Sequence, residues 1–279
     1  MTTPNLTGIH YQMDEQEYRM APAIAGSDAK HIIKPKTPAH YAARMAGEIK
    51  REPSKALTLG LVSHVAVLEP HRLDSAFIEK PEGLDFRTKE GKEWKSKFAA
   101  SLILDQDEAR AVRGIRDSIA AHSAARELLA ECDTEVALFG EHRTGLWIKG
   151  RVDALKVPTD LETVIVDVKT TSAGADYGTF SRQAAQLNYH LSAAWYCHLC
   201  GLNGLPPARF YWIAVEVAAP YAVAVYEIAP DALDLGVGMM NDALDLIAQC
   251  EDAGEWPGYG DGVETLNLPA WAYGKEANK

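Results

Sequence analysis

The sequence predicts an α/β (α+β) fold in which a mixed, largely antiparallel central sheet is flanked by helices. Three observations point there. Short apolar runs such as "VIVDVKTT" and "RFYWIAVEV" alternate with longer stretches of helical periodicity such as "PDALDLGVGMMNDALDLIAQC". Turn residues join neighbouring strand-like runs into hairpins, as Pro158 and Asp160 do within "KVPTDLETV". A chain of 279 residues that is 47% hydrophobic is long and apolar enough for a packed core.

Taken in order, residues 1 to about 25 are polar with little periodicity and read as an arm or short strand. Ser27 is an N-cap candidate for a helical stretch broken by Pro35 and Pro38. From Ser54 to Glu69 a helix is expected, with Leu57, Leu61, Val65 and Leu68 at helical spacing, His64 among them and Pro70 as a stop. A basic segment follows, with Arg87, Lys89, Lys92, Lys95 and Lys97 around Phe86 and Trp94. It reads either as a solvated face or as a source of phosphate contacts. A long amphipathic helix is expected over 105–132, then two strands joined by a polar turn near Glu141–Thr144. After "VIVDVKTT" and the loop "SAGADYGTF", a helix over about 181–199 sets Gln186, Tyr189 and Tyr196 on one stripe. Two strands around Ala218–Tyr221 and another helix complete the core. The boundaries expected are a single domain over 1–279: arm and helix 1–50, core 54–250, and an aromatic tail 251–279 packed on it.

Chemistry is concentrated in the strand pair. Asp167 and Lys169 share one face of their strand, and Val166 and Val168 share the other. Charged groups are seldom buried unless paired or bound to a metal. A hairpin centred on Asp160 sets residues whose numbers add to 320 opposite one another, so Asp153 faces Asp167. Two facing carboxylates repel and are expected to share a proton or a cation. An acidic pair with a lysine two residues on suits a hard divalent ion. The plain alternative is a structural ion pair at a strand end.

The composition narrows the class. No apolar run approaches the roughly 18 residues of a membrane helix, and the N-terminus lacks the apolar core of a signal peptide. A cytoplasmic protein with no membrane partner is the expectation. The net charge of −11 argues against indiscriminate coating of nucleic acid, though not against an enzyme with basic residues confined to one channel. Four cysteines are present, and Cys197 and Cys200 have metal-ligand spacing. They continue a helical pattern with no further ligand nearby, so unligated buried thiols are expected.

With "GRVDAL", "VIVDVKTT" and a tyrosine-bearing helix in order, the chain resembles the PD-(D/E)xK nuclease superfamily, with its restriction-endonuclease-like core. More closely, it resembles the RecE-type exodeoxyribonuclease VIII group of phages and prophages. "LGLVSHVAVLEP", "FRTKEGKEW", "IAVEVAAPYAVAVYEI" and the "WPGY" and "LPAWA" segments of the tail are similar to segments of that group. The resemblance implies that Asp153, Asp167, the Val168 carbonyl and His64 bind Mg²⁺, with Mn²⁺ as a substitute. It implies that Lys169 orients the attacking water, and it matches Glu135 to an acidic position ahead of the core motif. The group's helix usually carries Gln-x-x-x-Tyr. Here Ser192 stands at the glutamine position, Tyr196 is retained, and Gln186 is a candidate substitute. The implied activity is 5′→3′ digestion of linear duplex DNA from its ends, leaving 3′ tails for a single-strand annealing recombinase. A ring-shaped homo-oligomer is implied as well, with the five basic residues near the DNA. Two other readings stand beside it: an iron–sulfur nuclease of the same fold, and a non-catalytic DNA-binding or structural protein whose carboxylates pair with Lys169 and Arg151.

Overall fold

The computed structural model describes residues 7–33, 35–49, 55–98, 101–157, 162–269 and 272. The N-terminal region forms β1 (Gly8–His10), α1 (Glu15–Met20), β2 (Ile24–Ala25), α2 (Gly26–Ala29) and α3 (Pro38–Met45). Asp14 caps α1 by accepting from the Gln16 and Glu17 amides. The helix α4 (Lys55–Leu68) stops before Pro70, as Pro70 predicts. Next come α5 (Leu73–Ala76), β3 (Ile78–Glu79), α6 (Lys89–Lys97) and β4 (Ile103–Leu104), with β3 and β4 pairing as a separate small parallel sheet. The helices α7 (Gln106–Ala121) and α8 (Ser123–Leu129) lead into the central strands β5 (Asp133–Glu141), β6 (Trp147–Lys156) and β7 (Thr163–Thr171). The chain continues through α9 (Tyr177–Gln186), α10 (Tyr189–Leu202), β8 (Ala208–Glu216), β9 (Val223–Glu227) and α11 (Pro230–Ala253).

The main sheet runs β1-β5-β6-β7-β8-β9, with β2 added beside β6. Only the β7–β8 and β2–β6 pairings are parallel; the others are antiparallel. The expected mixed sheet flanked by helices is therefore the observed one. The β6–β7 register sets Ala154 against Val166 and Leu155 against Ile165, and each pair adds to 320 as the hairpin requires. The turn itself, Pro158 to Asp160, lies outside the described residues.

Alternation divides the sheet between two packing layers. Leu155, Ile165, Phe210 and Trp212 face α10 and α11, where Leu191, Trp195, Leu199, Leu244 and Ile247 are buried against them. Ala154, Val166, Val168 and Ile213 face the other way, onto Leu68, Ile115 and Ile119. Each large apolar side chain fully withdrawn from water contributes about 1.5–3 kcal/mol, so these two layers hold β6 and β7 in place.

Three expectations are corrected. The single helix over 105–132 is two, because His122 takes an extended backbone and its Nδ1 receives the Ala125 amide as a new cap. The helix over 181–199 is also two. Asn188 sits at φ 51°, ψ 49°, a left-handed conformation that asparagine tolerates better than most residues. The break removes Gln186 from the stripe of Tyr189 and Tyr196. On α4 the buried residues are Val62, Ser63, Ala66 and Leu68, while Leu57 and Leu61 are exposed. This helix is apolar nearly all round, so spacing alone did not say which side meets the core. The start of the tail packs on the rest, as expected of it: Trp256 stacks on Tyr41 and Tyr259 reaches the Pro35 carbonyl, whereas Val263 and Leu266 are exposed.

Close approach of α10 and α11 depends on Gly236, where an added Cβ falls 2.2 Å from the His190 carbonyl oxygen. Backbone cannot yield as a side-chain tip does, so Gly236→Ala is expected to separate the helices and destabilise the protein by roughly 1–3 kcal/mol. Urea denaturation reads this directly, and a midpoint equal to that of the unsubstituted protein would show that the contact is not tight.

Candidate metal centre

Across β5, β6 and β7 three acids fall in one row. In the β5–β6 register Thr134 pairs with Ala154 and Val136 with Val152, which leaves Glu135 opposite Asp153. In the β6–β7 register the next position beyond Ala154 and Val166 sets Asp153 opposite Asp167. At this row both ladders are interrupted. Glu135 stands at φ 54°, a left-handed conformation costly for a residue with a side chain and unusual inside a strand. On the other side, Asp153 Oδ2 accepts the Val168 amide at 2.8 Å, a bond that replaces a strand-to-strand one. In an extended strand the N–H and C=O of one residue point the same way, so the Val168 carbonyl faces the same gap.

His64 enters from α4. Its Nδ1 is 3.5 Å from Asp153 Oδ2, and His64, Glu135 and Asp153 each offer one ligand atom within 4.8 Å of the others. Among the described residues no other three His, Cys, Asp or Glu side chains converge in this way. An imidazole with two carboxylates is a donor set for Mg²⁺ or Mn²⁺, hard ions that take oxygen with some nitrogen. Asp167 is next to this set but not within it. It is 2% exposed and engaged by Lys169, whose Nζ lies 2.6 Å from both carboxylate oxygens. Only the bond to Oδ1 is well aligned, and Oδ2 is left buried with no hydrogen bond. A buried Asp167 oxygen whose one contact is the Lys169 ammonium, next to two further carboxylates and an imidazole, fits a site that takes a cation.

The electrostatics follow from burial. Glu135 is pushed up to about 7, first by burial and then by Asp153, against the opposing pull of Arg151, whose Nε is 2.7 Å from its Oε2. Burial disfavours the Lys169 ammonium, but Asp167 and Asp153 outweigh it and its pKa rises, so the lysine stays charged. The Lys169 ammonium also lies over the Tyr189 ring, 5.4 Å from its centroid. Tyr196 is held neutral, raised by burial and then by Asp167 and Asp153.

The remaining sequence candidates lie apart from the row. Gln186 is exposed at the end of α9. The glutamine that reaches the tyrosine is Gln183, which accepts from Thr171 Oγ1 at 2.8 Å and donates to Tyr189 Oη at 3.2 Å. Its signal was three residues from Gln186, hidden by the break at Asn188. Ser192 and Tyr196 line a cavity beside Arg151 together with Lys30, a residue that sequence reasoning passed over. In the basic segment, Arg87 is tied to Asp85, Lys89 is near Glu93, Lys95 lies over Phe86, and Lys92 and Lys97 are exposed on α6. None of these five lines that cavity. Cys197 and Cys200 sit on α10, where burial pushes each thiol up to about 12, an environment for inert thiols.

The sheet order, the acid row and the β7 lysine define a PD-(D/E)xK-type α/β domain. The chain belongs to the family of the PDDEXK-like domain of unknown function (DUF3799), which matches residues 26–269. Among solved structures it is similar to a "putative exonuclease" from Eubacterium rectale, at 13% identity and TM-score 0.64 over 95% of this chain and 99% of that one. At that identity the likeness establishes the fold. A phage-related exonuclease from Haemophilus somnus 129PT aligns at 13% identity over 84% of this chain and 96% of its own, with a TM-score of 0.34 that carries no argument. No curated protein sequence matches.

A carboxyl raised from 4.5 to about 7 holds its proton more tightly in the folded chain than in the unfolded one. Its contribution is full below the unfolded value and is lost as pH rises through the folded one, on the order of 3 kcal/mol at most. The metal-free protein is therefore expected to lose stability between about pH 5 and 8, and Glu135→Gln to flatten that loss. Melting curves at several pH values check this. Equal slopes for the two proteins would mean that Glu135 titrates normally.

Proposed function

We propose that this chain is a divalent-metal-dependent nuclease that hydrolyses phosphodiester bonds at the ends of linear duplex DNA. The observation that carries the reading is the row of Glu135, Asp153 and Asp167 across three strands, with His64 above it and Lys169 beside it. A binding module has no use for three carboxylates held together at the cost of two broken ladders. A hydrolase has one, since a bound Mg²⁺ or Mn²⁺ supplies a water acidic enough to attack and positive charge for the phosphate.

The chain's own residues do the rest. Hydrolysis adds a water oxygen to phosphorus and breaks the bond to the leaving sugar oxygen, with negative charge growing on the phosphate oxygens in between. Lys169 is a fixed cation in a site withdrawn from water, where it offsets that charge and donates a hydrogen bond to the incoming water or phosphate. Asp167 keeps Lys169 charged and aimed, and Tyr189 supports its other side. Asp153 is anchored by the Val168 amide, so its remaining oxygen needs no reorganisation to serve as a ligand.

Digestion in the 5′→3′ direction, a 3′ tail passed to an annealing recombinase, and a ring of subunits around the DNA are the finer parts of this proposal. The resemblance to the RecE-type group supports them. A net charge of −11 also favours topological retention over electrostatic grip.

End-labelled linear duplex incubated with Mg²⁺ or EDTA tests the reading. Labels at either terminus report polarity. Metal-dependent release of nucleotides is expected, with losses of at least about a hundredfold for Asp153→Ala, which removes a metal ligand, and for Asp167→Ala, which removes the partner that keeps Lys169 charged and aimed. Lys169→Ala is expected to lose somewhat less. His64→Gln should raise the metal concentration needed without lowering the melting temperature of the metal-free protein. Either acid variant within a few-fold of the unsubstituted enzyme would remove the assigned site.

A further inference from the structure

The left-handed Asn188 between α9 and α10 brings together two side chains that an unbroken helix would keep apart. Residues six positions apart in a helix stand about 120° apart around its axis, so Gln183 and Tyr189 would face different ways. With the chain turned at Asn188, Gln183 Nε2 donates to Tyr189 Oη at 3.2 Å. Backbone exceptions of this kind persist where the surroundings hold them, and they gather at functional sites.

The orientation of the Gln183 amide is set from β7. Thr171 ends that strand on the same face as Lys169, and it is buried. Its Oγ1 accepts the Ala173 amide at 3.2 Å and gives its own proton to Gln183 Oε1 at 2.8 Å. With its oxygen engaged there, Gln183 turns its Nε2 toward the tyrosine. Thr171 is itself fixed, since it pairs with Glu216 of β8 and its carbonyl accepts the Val217 amide at 3.0 Å.

At the far end of these contacts is the lysine of the acid row. The Tyr189 ring centroid lies 5.4 Å from Lys169 Nζ, and the ring also meets buried Phe180. Lys30 Nζ lies 5.8 Å from the same centroid. Both ammonium groups attract the ring, so a further contact has to set where it stands, and Gln183 supplies one. Lys169 gives one N–H to Asp167 Oδ1 at 2.6 Å, and the ring closes a second side of the ammonium. Together these two contacts set which way its remaining N–H groups point.

We propose that Gln183 is a positioning residue for the nuclease reaction. Held by Thr171, it fixes the Tyr189 ring, and through that ring the direction in which Lys169 presents its ammonium to the phosphate or the attacking water. The inference rests on the nuclease reading for its effect on rate, and on the Thr171–Gln183–Tyr189 contacts alone for its effect on Lys169. A cation aimed in advance needs no reorganisation as charge grows on the phosphate, which is where its benefit lies. Gln183 acts through a ring and is not a catalytic residue.

The test reads Lys169 directly. Protein labelled with ¹³C at the lysine ε-carbons gives a signal for each lysine, and that of Lys169 is identified by its loss in Lys169→Arg. Protons over an aromatic face are shielded, so this signal is expected upfield of those of exposed lysines. Gln183→Met keeps the side-chain length without either hydrogen bond and should move the signal back toward them. Tyr189→Phe keeps the ring without its hydroxyl and should do the same. Gln183→Glu accepts from both hydroxyls and should keep the upfield position. In digestion of linear duplex at saturating metal, Gln183→Met and Tyr189→Phe are each expected to lower kcat about tenfold, with KM and the metal requirement unchanged. The double variant should lose no more than either alone, because both changes break one chain of contacts. A Lys169 signal unmoved by Gln183→Met would overturn the proposal, as would additive losses in the double variant. If no metal supports cleavage by the unsubstituted protein while Gln183→Met still moves the signal, the nuclease reading falls and the positioning of Lys169 by Gln183 stands.

Discussion

One hydrogen bond organises this site, the one given by the Val168 amide to the Asp153 carboxylate. An antiparallel pair normally answers each amide with a carbonyl across the strands, and a buried amide left unanswered costs about 1–3 kcal/mol. Here a side chain answers it. The carboxylate can occupy that place only because β7 is paired along its whole length with β8 on its other edge, so β7 cannot slide to recover the lost ladder bond. Parting of β6 and β7 at this row opens the gap into which the Val168 carbonyl, Asp153 and His64 all face. Apolar layers above and below the sheet keep the gap from closing.

Charge at the row is deliberately unbalanced. Glu135, Asp153 and Asp167 are three carboxylates, and Arg151 and Lys169 are the two permanent cations in contact with them. The remainder is taken up by a proton on a carboxylate or by an added ion. This agrees with the raised proton affinities of Glu135, to about 7, and of buried Asp167, and with a Lys169 ammonium that stays charged.

Much of this was legible in the sequence. Period-two alternation predicts the faces of Asp167, Lys169, Val166 and Val168, and a hairpin centred on Asp160 predicts the observed pairing of Ala154 with Val166, one position from Asp153 and Asp167. Both are local rules, which is why they survive folding. What was not legible depended on backbone exceptions or on distant contacts. The left-handed Asn188 splits one helix into two, takes Gln186 off the stripe of Tyr196, and leaves Gln183 as the glutamine that meets Tyr189. The left-handed Glu135 has no periodic signature, since it lies inside a strand. Lys30 is 139 positions from Lys169, and nothing in its short helix announces that both meet the same ring. On α4 the sequence showed a helix but not its inward side, because nearly every side is apolar.

The row of acids as a cation site is the claim on which the chemistry stands, and diffraction from crystals soaked in Mn²⁺ tests it most directly. An anomalous peak is expected in contact with His64, Glu135 and Asp153, at the gap faced by the Val168 carbonyl, and it should vanish in Asp153→Ala crystals. No peak at this position under saturating Mn²⁺, or one that persists without the Asp153 carboxylate, would show that the row is a structural cluster of ion pairs and not a metal centre.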